Sequence, residues 1–210
     1  MDQNKDRITI KNEARAEIEE KKSVFIGSIA PVSDETAARD FIDRIKKEFY
    51  DARHNVFAYI LEGGMITRFT DDGEPKGSAG IPILNVLKMS GVDGVCLVVT
   101  RYFGGILLGT GGLARAYSAA AKAALDSAGI TVMSEYAICE ISCSYSDYTK
   151  ISAKISSAGA ILEDSIFETD VSMIVSCLLS SFPLLKDLVI QISNGKCEPR
   201  IIKTEERPQR

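Results

Sequence analysis

The chain has 210 residues, 45% of them hydrophobic and 26% charged, and a formal net charge of −4. This composition lies in the range of ordinary globular proteins and is enough for a buried core in one large or two small domains. Residues 1–133 carry 17 Lys and Arg against 18 Asp and Glu, and residues 134–210 carry 8 against 11. Neither half is basic, so the charge gives no support for a nucleic-acid-binding module.

The first 22 residues are crowded with charges and hold no apolar run of the length that a signal peptide needs. No later apolar run approaches the roughly 20 residues of a membrane-spanning helix. We therefore expect a soluble, cytoplasmic protein that does not bind a membrane. The cysteines are odd in number and form no CxxC pair, which predicts buried, reduced thiols rather than a zinc site or a redox motif. They are Cys96, Cys139, Cys143, Cys177 and Cys197.

The first predicted elements are two strands and a helix. Residues 8–10 form a short strand, and residues 23–31 form a longer one that is apolar along most of its length. Ser33 and Asp34 are typical helix-capping residues, and apolar side chains then recur at helical spacing over 35–49. The spacing predicts an amphipathic helix that covers a sheet.

A β-hairpin and a glycine-rich turn follow. Residues 54–61 and 65–69 are strand-like, with a turn signal of Glu62, Gly63 and Gly64 between them. Residues 70–80 then combine three carboxylates with three glycines and lead into a helix over 81–89. Clustered carboxylates suit magnesium or calcium, so a metal site is one interpretation. We favour the other, a solvated turn whose Asp side chains bind their own backbone while its glycines adopt positive φ.

The centre of the chain is a strand, a glycine loop and a helix. Residues 95–102 are apolar almost throughout, which predicts a parallel-like strand buried on both faces. Gly104 to Gly112 contains five glycines in nine residues, and seven of the thirteen residues over 113–125 are alanine. A helix over 113–125 would present free amides at the glycine loop with Arg115 one turn in, which is the composition of an anion site. Close backbone packing is the alternative reason for so many glycines.

After a break near residues 128–133, the predicted order is strand, helix, strand, strand, helix, strand. The predicted strands cover 136–143, 160–167, 170–179 and 196–202, and the helices cover 147–157 and 182–192. This βαββαβ order predicts a ferredoxin-like sandwich. Residues 205–210 are expected to fray.

Enzyme motifs are hard to assemble from this sequence. Residues 109–114 fit GxGxxG/A, but the distance from the preceding strand and the lack of a following acidic residue argue against a dinucleotide site. Gly109 is followed by Thr110 and Gly111 rather than by Lys and Ser or Thr, so the loop is not a P-loop. His54 has no recognisable nucleophile motif to serve, and we favour a structural role for it at the start of a strand. No cofactor is expected.

Three segments of the chain carry a family signature, namely residues 54–59 (HNVFAY), 71–80 (DDGEPKGSAG) and 100–117 (TRYFGGILLGTGGLARAY), the last of which contains the glycine loop. They resemble those of the IMPACT family, in its bacterial YigZ branch. This resemblance implies two α+β domains. Residues 1–132 would share the fold of the second domain of a small-subunit ribosomal protein and of GHMP kinases. Residues 133–210 would resemble the last domain of elongation factor G.

Family resemblance also implies a function, because eukaryotic members regulate translation initiation through the amino-acid-starvation kinase. We therefore expect a non-enzymatic, translation-associated protein that contacts RNA, the ribosome, a translation-related protein or a phosphate-type anion. The alternative is an enzyme acting on a small phosphorylated ligand held at the glycine loop. The predicted binding residues are His54, Asp71, Asp72, Glu74, Arg101, Gly104, Gly105, Gly109, Gly111, Gly112 and Arg115.

Overall fold

The structure is a computed structural model that describes residues 6–209. These residues form two compact α+β units, one of residues 7–132 and one from Met133 onward together with Asp6. The strands of the first part of the chain are β1 (Arg7–Ile10), β2 (Ala14–Glu20), β3 (Ser23–Pro31), β4 (His54–Leu61), β5 (Ile66–Phe69) and β6 (Val95–Tyr102). The helices there are α1 (Glu35–Glu48), α2 (Gly80–Ser90) and α3 (Gly109–Ala128).

The first unit is organised on a five-stranded sheet with the order β2-β3-β6-β4-β5. Strand β6 lies at its centre and is buried on both faces, as predicted. Val95, Leu97 and Val99 point into the core that α2 and α3 cover, while Cys96 and Val98 point into the core under α1. Successive side chains of a strand alternate between the faces, so both faces of this sheet need a helical layer.

The prediction of a parallel-like central strand was wrong, because β6 is antiparallel to both β3 and β4. A strand that is apolar on both faces shows that both faces are covered, and this does not fix the direction of its neighbours.

Helix α3 lies close to the sheet through its alanine-rich face. A Cβ atom added to Gly27 of β3 would lie 2.7 Å from the carbonyl oxygen of Ala120 and 2.9 Å from Cβ of Ala124. The small residues on both elements therefore allow a close approach that larger side chains would prevent. This packing fixes the position of the glycine-rich start of α3 relative to the ends of β3 and β6.

Strand β2 was not predicted from the sequence. Its charged residues Arg15, Glu17 and Glu19 are exposed, while Ala14, Ala16 and Ile18 pack against the core. β2 is an edge strand, and charges on its outer face are the usual protection of a sheet edge. The period-two alternation was the signal that could have revealed it.

The second unit contains β7 (Ile130–Cys143) from Met133 onward, α4 (Tyr145–Ser152), β8 (Ala160–Phe167), β9 (Val171–Leu178), α5 (Phe182–Ser193) and β10 (Arg200–Pro208). Strand β7 pairs with both β9 and β10, and β9 pairs with β8, all antiparallel. The order β10-β7-β9-β8 is that of the predicted ferredoxin-like sandwich.

The second unit also corrects one expectation about the chain's end. Residues 205–208 do not fray, because β10 continues to Pro208 and pairs with residues 133–140 of β7. Arg210, the last residue that was expected to fray, lies outside the described residues. The many charged residues of β10 made this segment resemble a loop, and its partner strand could be found only in the folded sheet.

Candidate functional site

The sheet register brings the first predicted site residues together. His54 starts β4 directly opposite Arg101 of β6, and Phe25 of β3 lies opposite Arg101 on its other side. The three residues therefore form a row across the end of the sheet. The Arg101 guanidinium lies 5.4 Å from the centre of the Phe25 ring, and the side chain is buried.

Glu74 neutralises the buried Arg101. Arg101 Nη1 donates to Glu74 Oε1 at 2.6 Å, and the hydroxyl of Tyr117 on α3 donates to the same oxygen at 2.8 Å. Burial, with the charge of Glu74 as a further cause, raises the pKa of Tyr117, so its hydroxyl stays protonated and remains a donor. We call His54, Glu74, Arg101 and Tyr117 the Glu74 network.

His54 is the partly exposed member of the Glu74 network. Its Nδ1 lies 2.8 Å from the carbonyl oxygen of Asp72, and a carbonyl only accepts, so Nδ1 carries the hydrogen. Its Nε2 then faces Glu74 Oε1 at 3.9 Å. Nε2 therefore carries the lone pair of the ring, on the side that faces Glu74.

The acidic turn of residues 70–80 is held by its own side chains. The Asp71 carboxylate accepts from the amides of Gly77, Ala79 and Gly80 at 2.7–3.2 Å, and Ala79 and Gly80 begin α2. Asp72 accepts from the amide of Asn55 at 2.6 Å. The predicted turn is found for Asp71, whose carboxylate binds the backbone of the turn, whereas the carboxylate of Asp72 binds the backbone of β4. Within residues 6–209, no group of three or more His, Cys, Asp or Glu side chains could hold a metal ion.

The five glycines of residues 104–112 differ in their surroundings. A Cβ at Gly104 would lie 1.9 Å from the carbonyl carbon of Lys22, so this glycine permits close backbone packing. Gly105 and Gly109 have φ of +82° and +70°, where side chains are strained. Gly111 and Gly112 lie in the first turn of α3, and a Cβ on Gly111 would meet only the end of Arg115, at 3.8 Å.

Helix α3 begins one turn earlier than predicted, at Gly109 instead of Leu113. Arg115 therefore lies in the second turn, and its guanidinium reaches back over the first. The four amides at a helix start have no partner within the helix, and within residues 6–209 no side chain caps this one, since Leu108 occupies the N-cap position. The positive end of the helix dipole lies there as well.

A cavity of about 220 Å³ lies beside this helix start. Gly112 and Arg115 contribute to it from α3, and Lys21 from the turn between β2 and β3. We call this cavity the α3 cleft, and its full lining is Ile18, Glu20, Lys21, Leu108, Gly112, Arg115, Ala116 and Ala119. Two cations, the carboxylate of Glu20 and the first turn of a helix therefore surround one small opening, which carries one net positive side-chain charge.

An exposed aromatic residue, Phe103, directly precedes the glycine loop. Phe103 is 53% exposed, and the Arg101 guanidinium lies 5.6 Å from the centre of its ring. The Arg101 guanidinium therefore lies against one face of the Phe103 ring, and Arg101 itself is buried. Leu107, in the same loop, is 84% exposed.

The predicted site residues therefore separate into distinct groups. His54, Glu74 and Arg101 form a buried network, while Asp71 and Asp72 stabilise the turn. Gly112 and Arg115 line the α3 cleft, and the other glycines shape the loop that leads to it. Tyr117 and Lys21 were not among the predicted site residues. A buried tyrosine on an alanine-rich helix needs a partner for its hydroxyl, and that was the available signal for Tyr117.

Family comparison agrees with the two-unit architecture. The Impact N-terminal domain matches residues 21–125, and a domain of unknown function, DUF1949, matches residues 141–196. The chain belongs to the IMPACT family. IMPACT family member YvyE of Bacillus subtilis is 35% identical over 191 residues, which cover 90% of this chain and 88% of YvyE. IMPACT family member YigZ of Escherichia coli is 37% identical over 162 residues, covering 74% of this chain and 78% of YigZ.

More distant IMPACT relatives align over a shorter part of the chain. Protein IMPACT of Rattus norvegicus is 32% identical over 98 residues, covering 45% of this chain and 31% of the rat protein. A crystal structure of a protein described as hypothetical aligns with a TM-score of 0.59 and 30% identity, covering 94% of this chain and 98% of the other. Among residues 6–209, no helix is long and apolar enough to cross a membrane.

Proposed function

We propose that this IMPACT family protein is a non-enzymatic binding protein that contacts RNA of the translation apparatus through the α3 cleft. The observation that carries the proposal is the uncapped start of α3, which lies beside a cavity lined by Arg115 and Lys21. Backbone amides at a helix start bind phosphate oxygens, and nearby cations add to that attraction.

The size of the cleft favours a binding role over turnover of a small molecule. Its volume is about 220 Å³, whereas pockets for drug-sized ligands occupy roughly 300–1,000 Å³. A single phosphate group fits such an opening while the rest of the ligand lies outside. A polynucleotide chain presents its phosphates in this way.

Exposed Phe103 supports RNA as the ligand. Aromatic side chains beside cationic ones stack with the unpaired bases of single-stranded RNA. Because Arg101 lies against one face of the Phe103 ring, the other face can stack on a base, and little conformational entropy of the side chain would be lost on binding. Since the chain as a whole is acidic, binding would depend on this local arrangement rather than on surplus charge.

Fluorescence anisotropy with a labelled single-stranded RNA tests this proposal in the full chain. We expect Arg115→Ala and Lys21→Ala to weaken binding about five- to tenfold each and to lower the salt slope by about one. We expect Phe103→Ala to weaken binding without changing the salt slope. Lys122→Ala is the matched control, since Lys122 is an exposed cation of the same helix that pairs with Asp126 four residues on.

Unchanged affinity in Arg115→Ala and Lys21→Ala, or an equal loss in Lys122→Ala, would reject the α3 cleft as the RNA site. Co-sedimentation of the chain with ribosomes, and its release by salt, provides the corresponding test for the translation apparatus. A chain that binds RNA but never sediments with ribosomes would limit the proposal to RNA alone.

A second candidate is an enzyme acting on a small phosphorylated ligand, which the Glu74 network favours. His54 Nε2 lies 3.9 Å from the Glu74 carboxylate, and Arg101 and Tyr117 both donate hydrogen bonds to that carboxylate. A thermal-shift screen of nucleotides and phosphorylated metabolites, with and without magnesium, separates the two candidates. Saturable stabilisation that Gly111→Val or Arg115→Ala abolishes would favour the enzyme.

A further inference from the structure

Several loops meet at one end of the sheet of the first unit. Val24, near the start of β3, lies opposite Tyr102 at the end of β6. His54 starts β4 opposite Arg101, on the other side of β6. Adjacent strands lie about 4.8 Å apart, so β2, β3, β6 and β4 together span roughly 14 Å along this end of the sheet. The turn after β2, the loop after β6 and the segment before β4 therefore lie side by side.

The turn between β2 and β3 packs against the loop after β6. A Cβ at Gly104 would lie 1.9 Å from the carbonyl carbon of Lys22, and the Gly104 amide donates to Ser23 Oγ at 3.1 Å. Lys21 and Lys22 are both exposed in this turn, and Lys21 also lines the α3 cleft. The turn therefore connects the α3 cleft with Phe103, which directly precedes Gly104.

The segment between α1 and β4 continues this surface on the other side of β6. A backbone hydrogen bond of 3.1 Å closes a turn over residues 49–52. The Tyr102 hydroxyl donates to Asp51 Oδ1 at 2.7 Å, which fixes this turn to the end of β6. Tyr50 in the turn is 85% exposed, and Arg53, directly before β4, is exposed as well. An aromatic ring and a cation therefore lie on the β4 side of this end of the sheet.

The strand-end surface is our name for the exposed charged and aromatic residues of the α3 cleft and of these three loops. Its members are Glu20, Lys21, Lys22, Tyr50, Asp51, Arg53, Phe103 and Arg115. Four of them are cations and two are carboxylates, so positive side-chain charges exceed negative ones by two. Within residues 6–209, no carboxylate forms an ion pair with any of these four cations. The surface is therefore locally basic, although the whole chain is acidic.

We propose, as an inference that rests on the RNA-binding function proposed for the α3 cleft, that about four unpaired nucleotides cross the strand-end surface. One phosphate lies in the α3 cleft and another at Arg53, while Phe103 and Tyr50 each stack on a base. Cations and aromatic rings together bind single strands through their phosphates and base faces. The bases of a duplex are stacked and paired, so a duplex cannot use these rings. The partner is therefore an unpaired RNA segment, such as a loop or a strand end.

Fluorescence anisotropy with a labelled single-stranded RNA octamer and the full chain tests this inference. We expect Arg53→Ala to weaken binding about five- to tenfold and to lower the salt slope by roughly 0.7 to 1, because one phosphate contact is lost. Tyr50→Ala should weaken binding about tenfold at an unchanged salt slope, because one stacked base is lost. A blunt RNA duplex of eight base pairs should bind at least tenfold more weakly than the octamer.

Conservative and distant variants provide the controls. Arg53→Lys retains a charge and should keep more of the salt slope than Arg53→Ala, and Tyr50→Phe retains a ring and should lose less affinity than Tyr50→Ala. Lys122→Ala removes an exposed cation of α3 that pairs with Asp126. Tyr145→Ala removes a tyrosine of the second unit that is 52% exposed. Both of these last variants should bind the octamer as the unaltered chain does.

The outcomes separate this inference from the function on which it rests. If Arg115→Ala weakens octamer binding while Arg53→Ala and Tyr50→Ala do not, RNA stays within the α3 cleft and does not cross the strand-end surface. Equal affinity for octamer and duplex, or equal losses in the two distant variants, would also overturn the inference. No RNA binding by the unaltered chain would instead reject the proposed function itself.

Discussion

Residues 70–80 and 104–112 are both glycine-rich segments that lead into a helix, yet their helix starts differ. In the first segment, the Asp71 carboxylate accepts from three amides, two of them at the start of α2. In the second segment, Leu108 stands at the N-cap position and, within residues 6–209, no side chain caps α3. Glycine content alone therefore does not reveal a binding loop. The two segments differ in whether a side chain of the protein accepts hydrogen bonds from the amides at the helix start.

Removing the Glu74 carboxylate is the most severe test of the first segment's structural role. Glu74→Ala leaves the buried guanidinium of Arg101 without its carboxylate, and we expect a loss of about 4 kcal/mol in the free energy of unfolding. Urea denaturation measures it. Glu74→Gln retains an acceptor and should lose clearly less. A loss below about 1 kcal/mol in Glu74→Ala would mean that Arg101 finds another partner or reaches water.

Asp71→Ala removes the acceptor of three amides, including two at the start of α2. Loss of a helix cap and its hydrogen bonds should lower the free energy of unfolding by about 2 kcal/mol. Asp71→Asn keeps one acceptor oxygen, so it should retain part of that stability. Thermal and urea unfolding of both variants give the comparison. Equal stability of Asp71→Ala and the unaltered chain would remove the distinction between the two helix starts.

Tyr117 connects α3 to Glu74 through a single hydrogen bond. Tyr117→Phe keeps the ring against Phe25, at 5.2 Å between ring centres, and deletes only the donor. We expect a loss of about 1 kcal/mol, as for one buried hydrogen bond. RNA binding at the α3 cleft should change less than twofold. A large loss of binding with intact stability would instead assign the Glu74 network to the ligand site.

The smallest expected effect lies within the glycine loop itself. Gly111→Ala adds a methyl group to a helical position with open space around it, and should stabilise the fold by about 0.5–1 kcal/mol. Gly104→Ala is the matched control, because its Cβ would overlap the backbone of Lys22, and it should destabilise. If Gly111→Ala were also destabilising, Gly111 would be needed for close packing, as Gly104 is, and the start of α3 would not be open.

Much of the fold could be predicted from local pattern. The bounds of β3, β4 and β8 agree with the predicted strands, and Asp34 caps α1 as its residue type indicates. The buried, free cysteines were also predicted. Strand β2 and the end of β10 were missed because charged residues at a sheet edge resemble loop residues until their partner strand is known.

The sequence by itself determined the family, the α+β class and the existence of an alanine-rich helix behind a glycine loop, because these depend on residue type and spacing. Only the tertiary structure decided which predicted site residues remain open. Arg101 and Arg115 lie fourteen residues apart in the same signature, yet one is buried against Glu74 and the other lines the α3 cleft. That difference follows from the sheet register and the packing of α3, which place a carboxylate beside one guanidinium and solvent beside the other.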